Sequence, residues 1–278
     1  MAQATPDQKP AWFKKNLTEL KPEARQLFES YSNVPSDQVK SHIEQFRNKA
    51  FEVYPYPCLG AFSFLDLSIS MSPCYSEILE RVKSGDIYLD LGCCVGQDIR
   101  KLVYDGAPSE NTYGSDLSKE FMDIGYELFL DKPTLKTTFI AADALNPDSD
   151  LKQLNGKIDI INTASFFHLF EWDDQVKVAK MVVNLLKPKP GGMLVGRQIG
   201  NVDPGHVPSS NSEKQRFRQN PESWAKLWKQ VGDETGTSWE VHAKLDDEDL
   251  VKKAEQAGLK VNFIPPGSRW LGFTVRRT

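Results

Sequence analysis

The chain has 278 residues, of which 40% are hydrophobic, and its formal net charge is −4 at pH 7. This length allows one large core, with or without a smaller cap. The acidic balance argues against nucleic acid as a partner, because such binders usually carry a basic face. No apolar stretch is long enough to cross a bilayer, and the N-terminus has no signal-peptide pattern. We therefore expect no membrane association and a cytoplasmic protein that acts on a small molecule, with a homodimer left open.

The four cysteines are Cys58, Cys74, Cys93 and Cys94. Their spacing does not match the CxxC pattern that places thiolates around zinc. We expect reduced, partly buried thiols and no bound metal.

The first part of the chain predicts helices. Residues 1–10 are polar and contain two prolines, which indicates a tail. Apolar residues then recur at helical spacing over residues 11–51, interrupted near Pro22 and Pro35, so two or three helices fit. We expect residues 1–75 to form a tail and a helical lid, followed by a catalytic domain over residues 76–278.

From Ile87 onward, short β-rich runs alternate with helical stretches, which is typical of βαβ units and a parallel sheet. The predicted strands are 87–91, 112–114, 137–141, 158–163 and 193–197. The predicted helices between them are 97–104, 118–130 and 172–186. A last helix over 246–257 precedes two runs, 259–264 and 270–275, that we expect to pair antiparallel. Residues 200–245 are longer than a connection needs, so they predict a helical cap insertion with a helix at 221–231.

The segment from Asp90 to Gly96 lies between a predicted strand and a predicted helix. Gly92 and Gly96 allow a sharp turn and a close approach of the backbone to a ligand, with Cys93 between them. Cys94 stands where a third alternate glycine would be expected. Taken alone, this turn indicates only a nucleotide-like ligand.

Acidic residues follow the next two strands as well. Asp116, flanked by Ser115 and Leu117, could accept hydrogen bonds from both ribose hydroxyls, or could only cap the helix that follows. Asp143, with Ala144 beside it, could accept from an adenine amine. Because strand ends converge at one sheet edge, the three acids together predict a pocket for S-adenosylmethionine. Asp90 would then bind the methionine amino group, and Asn162 and Thr163 would lie beside the methyl group.

Several residues are candidates for binding the methyl acceptor. The fourth strand leads into Phe166, Phe167 and His168 without the Asn/Asp-Pro-Pro-aromatic signature of nucleic-acid amino-methyltransferases. His168 could be a general base or a packed core residue; His206 and His242 are less favoured. Arg197 could pair with an acceptor carboxylate or be an ordinary surface arginine. Seven aromatic residues could line an apolar pocket or belong to the core: Tyr54, Tyr56, Phe166, Phe167, Trp224, Trp228 and Trp270.

Three segments, Tyr54–Gly60, Tyr88–Leu102 and Tyr113–Leu117, resemble the class I methyltransferases of fungal secondary-metabolite clusters, notably those of meroterpenoid pathways. The resemblance runs from about Phe51 to the C-terminus and implies a Rossmann-like α/β fold with five parallel strands plus an antiparallel C-terminal pair. In that family Cys-Cys in the glycine turn is ordinary. The implied reaction is O-methylation by S-adenosylmethionine, giving S-adenosylhomocysteine and, in several relatives, a methyl ester of a carboxyl group.

The sequence also allows other interpretations. The acceptor atom could be a phenol, alcohol or amine of another metabolite. An NAD-dependent oxidoreductase shares the glycine-rich turn, although the GxGxxG pattern is incomplete. A non-catalytic relative that keeps the fold to bind a partner would not need all three acids.

Overall fold

The computed structural model describes residues 9–10, 12–208, 215–256 and 264–278. Most of the predicted N-terminal tail therefore lies outside the described residues. The predicted strand over 259–264 lies outside them too, except for Ile264. Among the residues that are described, no helix is long and apolar enough to span a bilayer.

A mixed sheet forms the centre of the molecule, and its described strands follow the order β3-β2-β1-β4-β5-β9-β8. The first five, β1 to β5, run parallel, while β9 runs antiparallel to both β5 and β8. They are β1 (Tyr88–Leu91), β2 (Thr112–Asp116), β3 (Thr138–Ala141), β4 (Ile160–Ala164), β5 (Met193–Asn201), β8 (Trp239–Leu245) and β9 (Ser268–Arg277). This confirms the predicted fold class of five parallel strands and an antiparallel C-terminal pair.

The partner of the last strand differs from the prediction. β9 pairs with β8 over residues 239–245, and the predicted partner was the run at 259–264. Alternate residues of β8, Trp239, Val241 and Ala243, pack against the core, which is the period of two expected of a strand with one solvated face. The polar residues that alternate with them made this segment look like part of the cap insertion, so the strand was not predicted.

The predicted cap insertion of residues 200–245 therefore divides into two parts. Helix α8 (Pro221–Thr235) and β8 pack against each other and belong to the layers of the main sheet. The remaining part is a separate antiparallel pair, β6 (Gly205–Pro208) with β7 (Gln215–Arg218). The helix predicted at 221–231 is present and begins at a capping box formed by Asn220 and Ser223.

Helices cover both faces of the sheet. On one face, α7 (Trp172–Leu185) and α8 pack with β-strand residues into one large apolar cluster. On the other, α4 (Tyr75–Lys83), α5 (Gln97–Tyr104) and α6 (Lys119–Phe129) contribute to a second cluster. A helix α9 (Leu250–Gln256) precedes β9. Burial on both faces explains why β1 reads as a continuous apolar run except for Asp90.

The N-terminal helices form an additional layer outside α6. They are α1 (Pro22–Gln26), which continues as a π-helix over Leu27–Tyr31, and α2 (Val39–Val53), with a short α3 (Pro57–Gly60) after it. Phe28 stacks on Phe129 of α6 with 5.1 Å between ring centroids. The buried Arg47 of α2 donates to the carbonyls of Lys14, Lys15 and Gly60, and so fixes the chain on either side of α2.

Residues 62–71, which we call the strap, connect this layer to α4. The strap consists of two 3-10 turns, Ser63–Asp66 and Ser68–Met71, and the second contacts β4, β5 and α5. Phe62 and Leu67 have positive φ angles of 62° and 50°. Such a conformation costs a non-glycine residue about 1–2 kcal/mol, so tertiary contacts must hold the strap in place.

A buried ion pair joins the sheet, the glycine turn and the N-terminal layer. Arg100 of α5 donates from Nε to Asp131 Oδ2 at 2.7 Å and from Nη2 to Asp131 Oδ1 at 3.0 Å. Its Nη1 donates to the carbonyls of Val95 and Gly96. Tyr31, in the π-helix, donates its hydroxyl to the same Asp131 at 2.7 Å.

Replacing Asp131 by Asn should lower the free energy of unfolding by about 3–5 kcal/mol, because it leaves the Arg100 charge buried without its counter-ion. Urea unfolding monitored by circular dichroism measures this change. The matched control is Asp123→Asn, which removes the acid of an exposed pair with Lys119 and should change stability by about 0.5 kcal/mol or less. Equal effects of the two substitutions would contradict the central role of the buried pair.

Candidate active site

The glycine turn between β1 and α5 has the geometry of a ligand-binding loop. Gly92 and Gly96 have φ angles of 79° and 70°, a region that glycine enters without steric cost. The backbone N–H groups of Gly92 and Cys93 both donate to the carbonyl of Ser115 at the end of β2. The side chains of Cys93 and Ser115 are buried, so only the backbone of these two predicted cofactor residues faces the turn.

Cys94 shows what the middle position of the turn requires. Its φ is 50°, so the chain adopts the left-handed conformation that a glycine would take there. A cysteine at this position costs about 1–2 kcal/mol of backbone strain. Its amide donates to Asp116 Oδ2 at 2.9 Å, which ties the strained residue to the next strand end.

Asp90 lies at the centre of this edge of the sheet. The register places it opposite Gly114 of β2 and Asn162 of β4. Asn162 donates its amide to Asp90 Oδ1 at 2.9 Å, whereas Asp90 Oδ2 is buried and has no hydrogen-bond partner among the described residues. Burial, reinforced by the nearby Asp98, raises the pKa of Asp90 well above its usual range.

Asp116 ends the neighbouring strand. Its carboxylate accepts from the amides of Cys94 and Ser118, and burial raises its pKa while these hydrogen bonds oppose the rise. The adjacent Leu117 is 70% exposed, which leaves an apolar surface directly beside the acid. A carboxylate next to an open apolar face suits a ribose that leads into an adenine ring.

Asp143 follows β3 and is exposed, with Ala144 half-buried beside it. Its Oδ1 accepts from the amide of Leu145 at 2.9 Å, which shapes the loop after the strand. The register of β2 with β3 brings Asp116 opposite Ala141, so this loop lies next to the Asp116 carboxylate.

These residues fit S-adenosylmethionine. The unpartnered, buried oxygen of Asp90 requires a donor, which an amino group would supply. A Cβ on Gly92 would lie 2.5 Å from the Phe166 ring, so the turn is closely packed where the ligand must approach it. The carboxyl ends of parallel strands are where α/β folds bind their ligands, and all three acids lie there.

The predicted site residues at the end of β4 differ in how deeply their side chains are buried. Phe166 is half-buried on Gly92, whereas Phe167 is fully buried in the core. Thr163 is buried too, and its hydroxyl lies 3.5 Å from the carbonyl of Val195, so its side chain contacts the neighbouring strand β5. Ser165 has a positive φ of 55° and turns the chain away from β4.

His168 is buried and does not have a free lone pair. Its Nδ1 accepts from the backbone amide of Ile199 at 3.3 Å, so Nε2 carries the proton in the neutral ring. Burial and the positive charges of Arg218 and Arg216 hold its pKa well below the usual value. The structure therefore does not support the prediction that His168 is a general base; the alternative, a packed histidine, fits the geometry.

Arg197 and Trp270 lie together on the face of the sheet that carries the strap. The guanidinium of Arg197 is 4.3 Å from the centroid of the Trp270 ring and contacts Asp66 Oδ2 of the strap at 3.3 Å. Arg197 Nε is buried without a hydrogen-bond partner in the part of the chain that the structure describes. Arg197 is thus not an ordinary surface arginine.

The other predicted pocket aromatics lie elsewhere. Trp224 and Trp228 are fully buried in α8 and pack against Phe167, Phe273 and Trp239, so they are core residues. Tyr56 packs on Phe121 of α6 and lies near Asp116, at the ribose side of the site. Tyr54 contacts Tyr56 with 4.5 Å between ring centroids and the rings tilted by 47°.

Two acids at this edge, Asp66 and Asp98, are absent from the predicted site. Asp98 is fully buried in the first turn of α5 and accepts from the amide of Ile69 in the strap. An acid in the first turn of a helix is common, so its position gave no separate signal. Asp66 was hidden because the path of the strap over the sheet depends on tertiary packing.

Two family models match the chain. One describes the N-terminal domain of meroterpenoid methyltransferases and matches residues 12–65. The other describes a methyltransferase domain and matches residues 89–191, which contain the glycine turn and the three acids. An O-methyltransferase of a fungal species, named phiE, is 47% identical over 96% of this chain and 90% of its own length. The chain belongs to this family of fungal secondary-metabolite methyltransferases. Its methyl donor is S-adenosylmethionine.

Other relatives agree with this assignment. The methyltransferase adrK of Penicillium roqueforti is 42% identical over 94% of this chain and 91% of its own length. The Asnovolin E/Chermesin D methyltransferase nvfJ of Aspergillus novofumigatus is 49% identical over 77% of each chain. Membership of this family confirms the resemblance carried by the Tyr54–Gly60, Tyr88–Leu102 and Tyr113–Leu117 segments.

Solved structures support the fold. A phosphoethanolamine N-methyltransferase of Haemonchus contortus superposes with a TM-score of 0.51 at 17% identity, covering 84% of this chain and 60% of that one. A 1,6-didemethyltoxoflavin N1-methyltransferase of Burkholderia thailandensis gives a TM-score of 0.50 at 16% identity, covering 88% and 91%.

Replacing Gly92 by Ala should weaken S-adenosylhomocysteine binding by about tenfold or more, because the added methyl displaces the Phe166 ring and strains the turn. Isothermal titration calorimetry measures the affinity. Gly191→Ala is the matched control, since Gly191 also has a positive φ but a Cβ there would meet no atom within 4 Å. Gly191→Ala should lower the stability of the fold and leave the affinity for S-adenosylhomocysteine unchanged. A similar loss of affinity in both variants would contradict the role of the Gly92 turn.

Proposed function

We propose that this methyltransferase forms a methyl ester, transferring the methyl group of S-adenosylmethionine to the carboxylate of an apolar meroterpenoid acid. The observation that carries the proposal is the position of Arg197 at the carboxyl end of β5, over the face of Trp270, with its buried Nε unpartnered among the described residues. The name of the relative phiE, an O-methyltransferase, supports transfer to oxygen, and the match to the meroterpenoid methyltransferase model supports the class of pathway.

Arg197 suits a carboxylate acceptor. A guanidinium presents several donors in a plane, which a carboxylate can accept in a bidentate arrangement. In the present structure Arg197 is only partly neutralised, because Asp66 is 3.3 Å away and also contacts Lys21 at 2.7 Å. Met71 and Trp270 provide apolar surface beside the charge, as expected where an apolar acid must bind.

The described histidines also favour a carboxylate over a hydroxyl. A phenol or an alcohol must lose a proton before or during transfer, whereas a carboxylate is already ionised at neutral pH. His168 lacks a free lone pair, and His42 of α2 donates to the carbonyl of Leu128 in the last turn of α6. His242 is exposed beside Glu240 on β8, and His206 packs on Phe217 in the separate β-pair.

The contribution of the protein is then binding, alignment and exclusion of water. When bound, the sulfonium of S-adenosylmethionine supplies an electrophilic methyl group. In this proposal Asp116 and Asp143 hold the nucleoside, Asp90 binds the amino group, and Arg197 orients the acceptor. Because sulfonium and carboxylate both lose charge in the transition state, exclusion of water from the site favours transfer.

Incubation of the enzyme with a fungal metabolite extract and methyl-labelled S-adenosylmethionine identifies the product by mass spectrometry. We expect a labelled product that mild alkali hydrolyses to labelled methanol, because esters saponify and methyl ethers or N-methyl groups do not. A label that survives alkali would contradict the ester.

Replacing Arg197 by Met should raise the KM for the acceptor by about 10- to 150-fold, the range expected for lost hydrogen bonds to a charged group. The affinity for S-adenosylhomocysteine should stay nearly unchanged. Arg277→Met is the matched control, since Arg277 also stacks on a tryptophan, Trp239, but at the other end of β9. Loss of cofactor affinity with an unchanged acceptor KM would show that Arg197 binds the cofactor.

A further inference from the structure

Two buried carboxylates, Asp90 and Asp98, lie on either side of the glycine turn in the sequence, and each has one oxygen without a partner in the described part of the chain. Asp98 is fully buried, and its Oδ1 accepts from the amide of Ile69 at 3.2 Å. Its Oδ2 has no hydrogen-bond partner among the described residues, and the same is true of Asp90 Oδ2. A buried, unpaired carboxylate oxygen is costly, so this arrangement points to a missing donor.

The charges around Asp98 do not balance within the described part of the chain. Burial raises its pKa to about 6, and Asp66 adds to this effect while Arg197 opposes it. Asp98 in turn raises the pKa of Asp90, because the two carboxylates repel each other when both are ionised. The titratable groups whose electrostatic interaction with Asp98 is resolved are Asp66, Tyr75, Tyr88, Asp90 and Arg197.

We propose that Asp98 is a second anchor for the cofactor, and that together with Asp90 it binds the α-ammonium group of the methionine part of S-adenosylmethionine. An ammonium group has three donors and one positive charge, so it can satisfy both unpartnered oxygens and offset their repulsion. Asp98 follows Gly96 by two residues, which places it beside the turn that the cofactor must contact.

This assignment also connects the cofactor to the strap. Asp98 Oδ1 holds the amide of Ile69, while Oδ2 remains for the ligand. A purely structural Asp98 would need only the first contact and would gain nothing from burying its second oxygen. The same carboxylate therefore fixes the segment that covers β4 and β5 and takes part in the ammonium site.

The test compares two ligands that differ in the amino-acid part. S-adenosylhomocysteine carries the ammonium group, and 5′-methylthioadenosine lacks it. Asp98→Asn keeps an acceptor oxygen for Ile69 but removes the charge. By calorimetry we expect affinity for S-adenosylhomocysteine to fall by about tenfold or more, with affinity for 5′-methylthioadenosine changed by about twofold or less.

Asp174→Asn is the matched control. Asp174 is also a buried acid in the first turn of a helix, α7, but its partner is the exposed Lys177 and it lies outside the site. It should leave the affinities for both ligands unchanged. Equal weakening of both ligands by Asp98→Asn would show that Asp98 only supports the strap, and would overturn the proposal.

A second measurement uses the unaltered protein, so it does not depend on the variant folding. Because ammonium binding favours ionised carboxylates, affinity for S-adenosylhomocysteine should rise with pH from about pH 5, first through the pKa of Asp98, which is about 6, and then through the higher pKa of Asp90. Near pH 6, binding should release protons to the buffer. 5′-Methylthioadenosine should show neither effect. Identical pH profiles and proton release for the two ligands would overturn the proposal.

Discussion

The structure depends on the buried pair of Arg100 and Asp131, because this pair connects three parts of the fold that are distant in the sequence. Arg100 belongs to α5, Asp131 follows α6, and Tyr31 of the N-terminal layer donates to the same carboxylate. The guanidinium also donates to the carbonyls of Val95 and Gly96, so it holds the end of the glycine turn in place. Isolating these charges from water is unfavourable, and only the full set of hydrogen bonds offsets that cost.

This connection explains why an N-terminal layer specific to the family accompanies an ordinary methyltransferase core. The residues matched by the N-terminal family model, 12–65, include α1, α2 and the first part of the strap, and they pack on α6 through Phe28 and its neighbours. Loss of that layer would expose the apolar face of α6 and the Arg100–Asp131 pair together. The layer is therefore part of the support of the cofactor turn, and the strap extends from it toward the acceptor side.

The sequence predicted what depends on local pattern and spacing. The parallel strands, the glycine turn and the acids at successive strand ends follow from hydrophobic runs and from the sheet edge where they must converge. It left open whether Trp224 and Trp228 line a pocket or belong to the core, where the structure places them, because aromatic residues at helical spacing have the same pattern whether a helix faces a core or a ligand. The strand at 239–245 was missed for a related reason, since one solvated face made it look like part of a polar insertion. Asp66, Asp98 and the tautomer of His168 depend on contacts between distant segments, which periodicity does not encode.

The arrangement of charge at the sheet edge suits the reaction of a cation with an anion. Acidic side chains, Asp90 and Asp98, lie on the side of the glycine turn, and the guanidinium of Arg197 lies toward the strap. A site with only one sign of charge would bind one partner strongly and repel the other. Here Asp66 of the strap already pairs with Arg197, so in the ester-forming reaction that we propose the acceptor carboxylate would exchange one anion for another and would not create a new buried charge. Under that proposal, the cost of taking the acceptor anion out of water is offset within the site, before methyl transfer neutralises the charges.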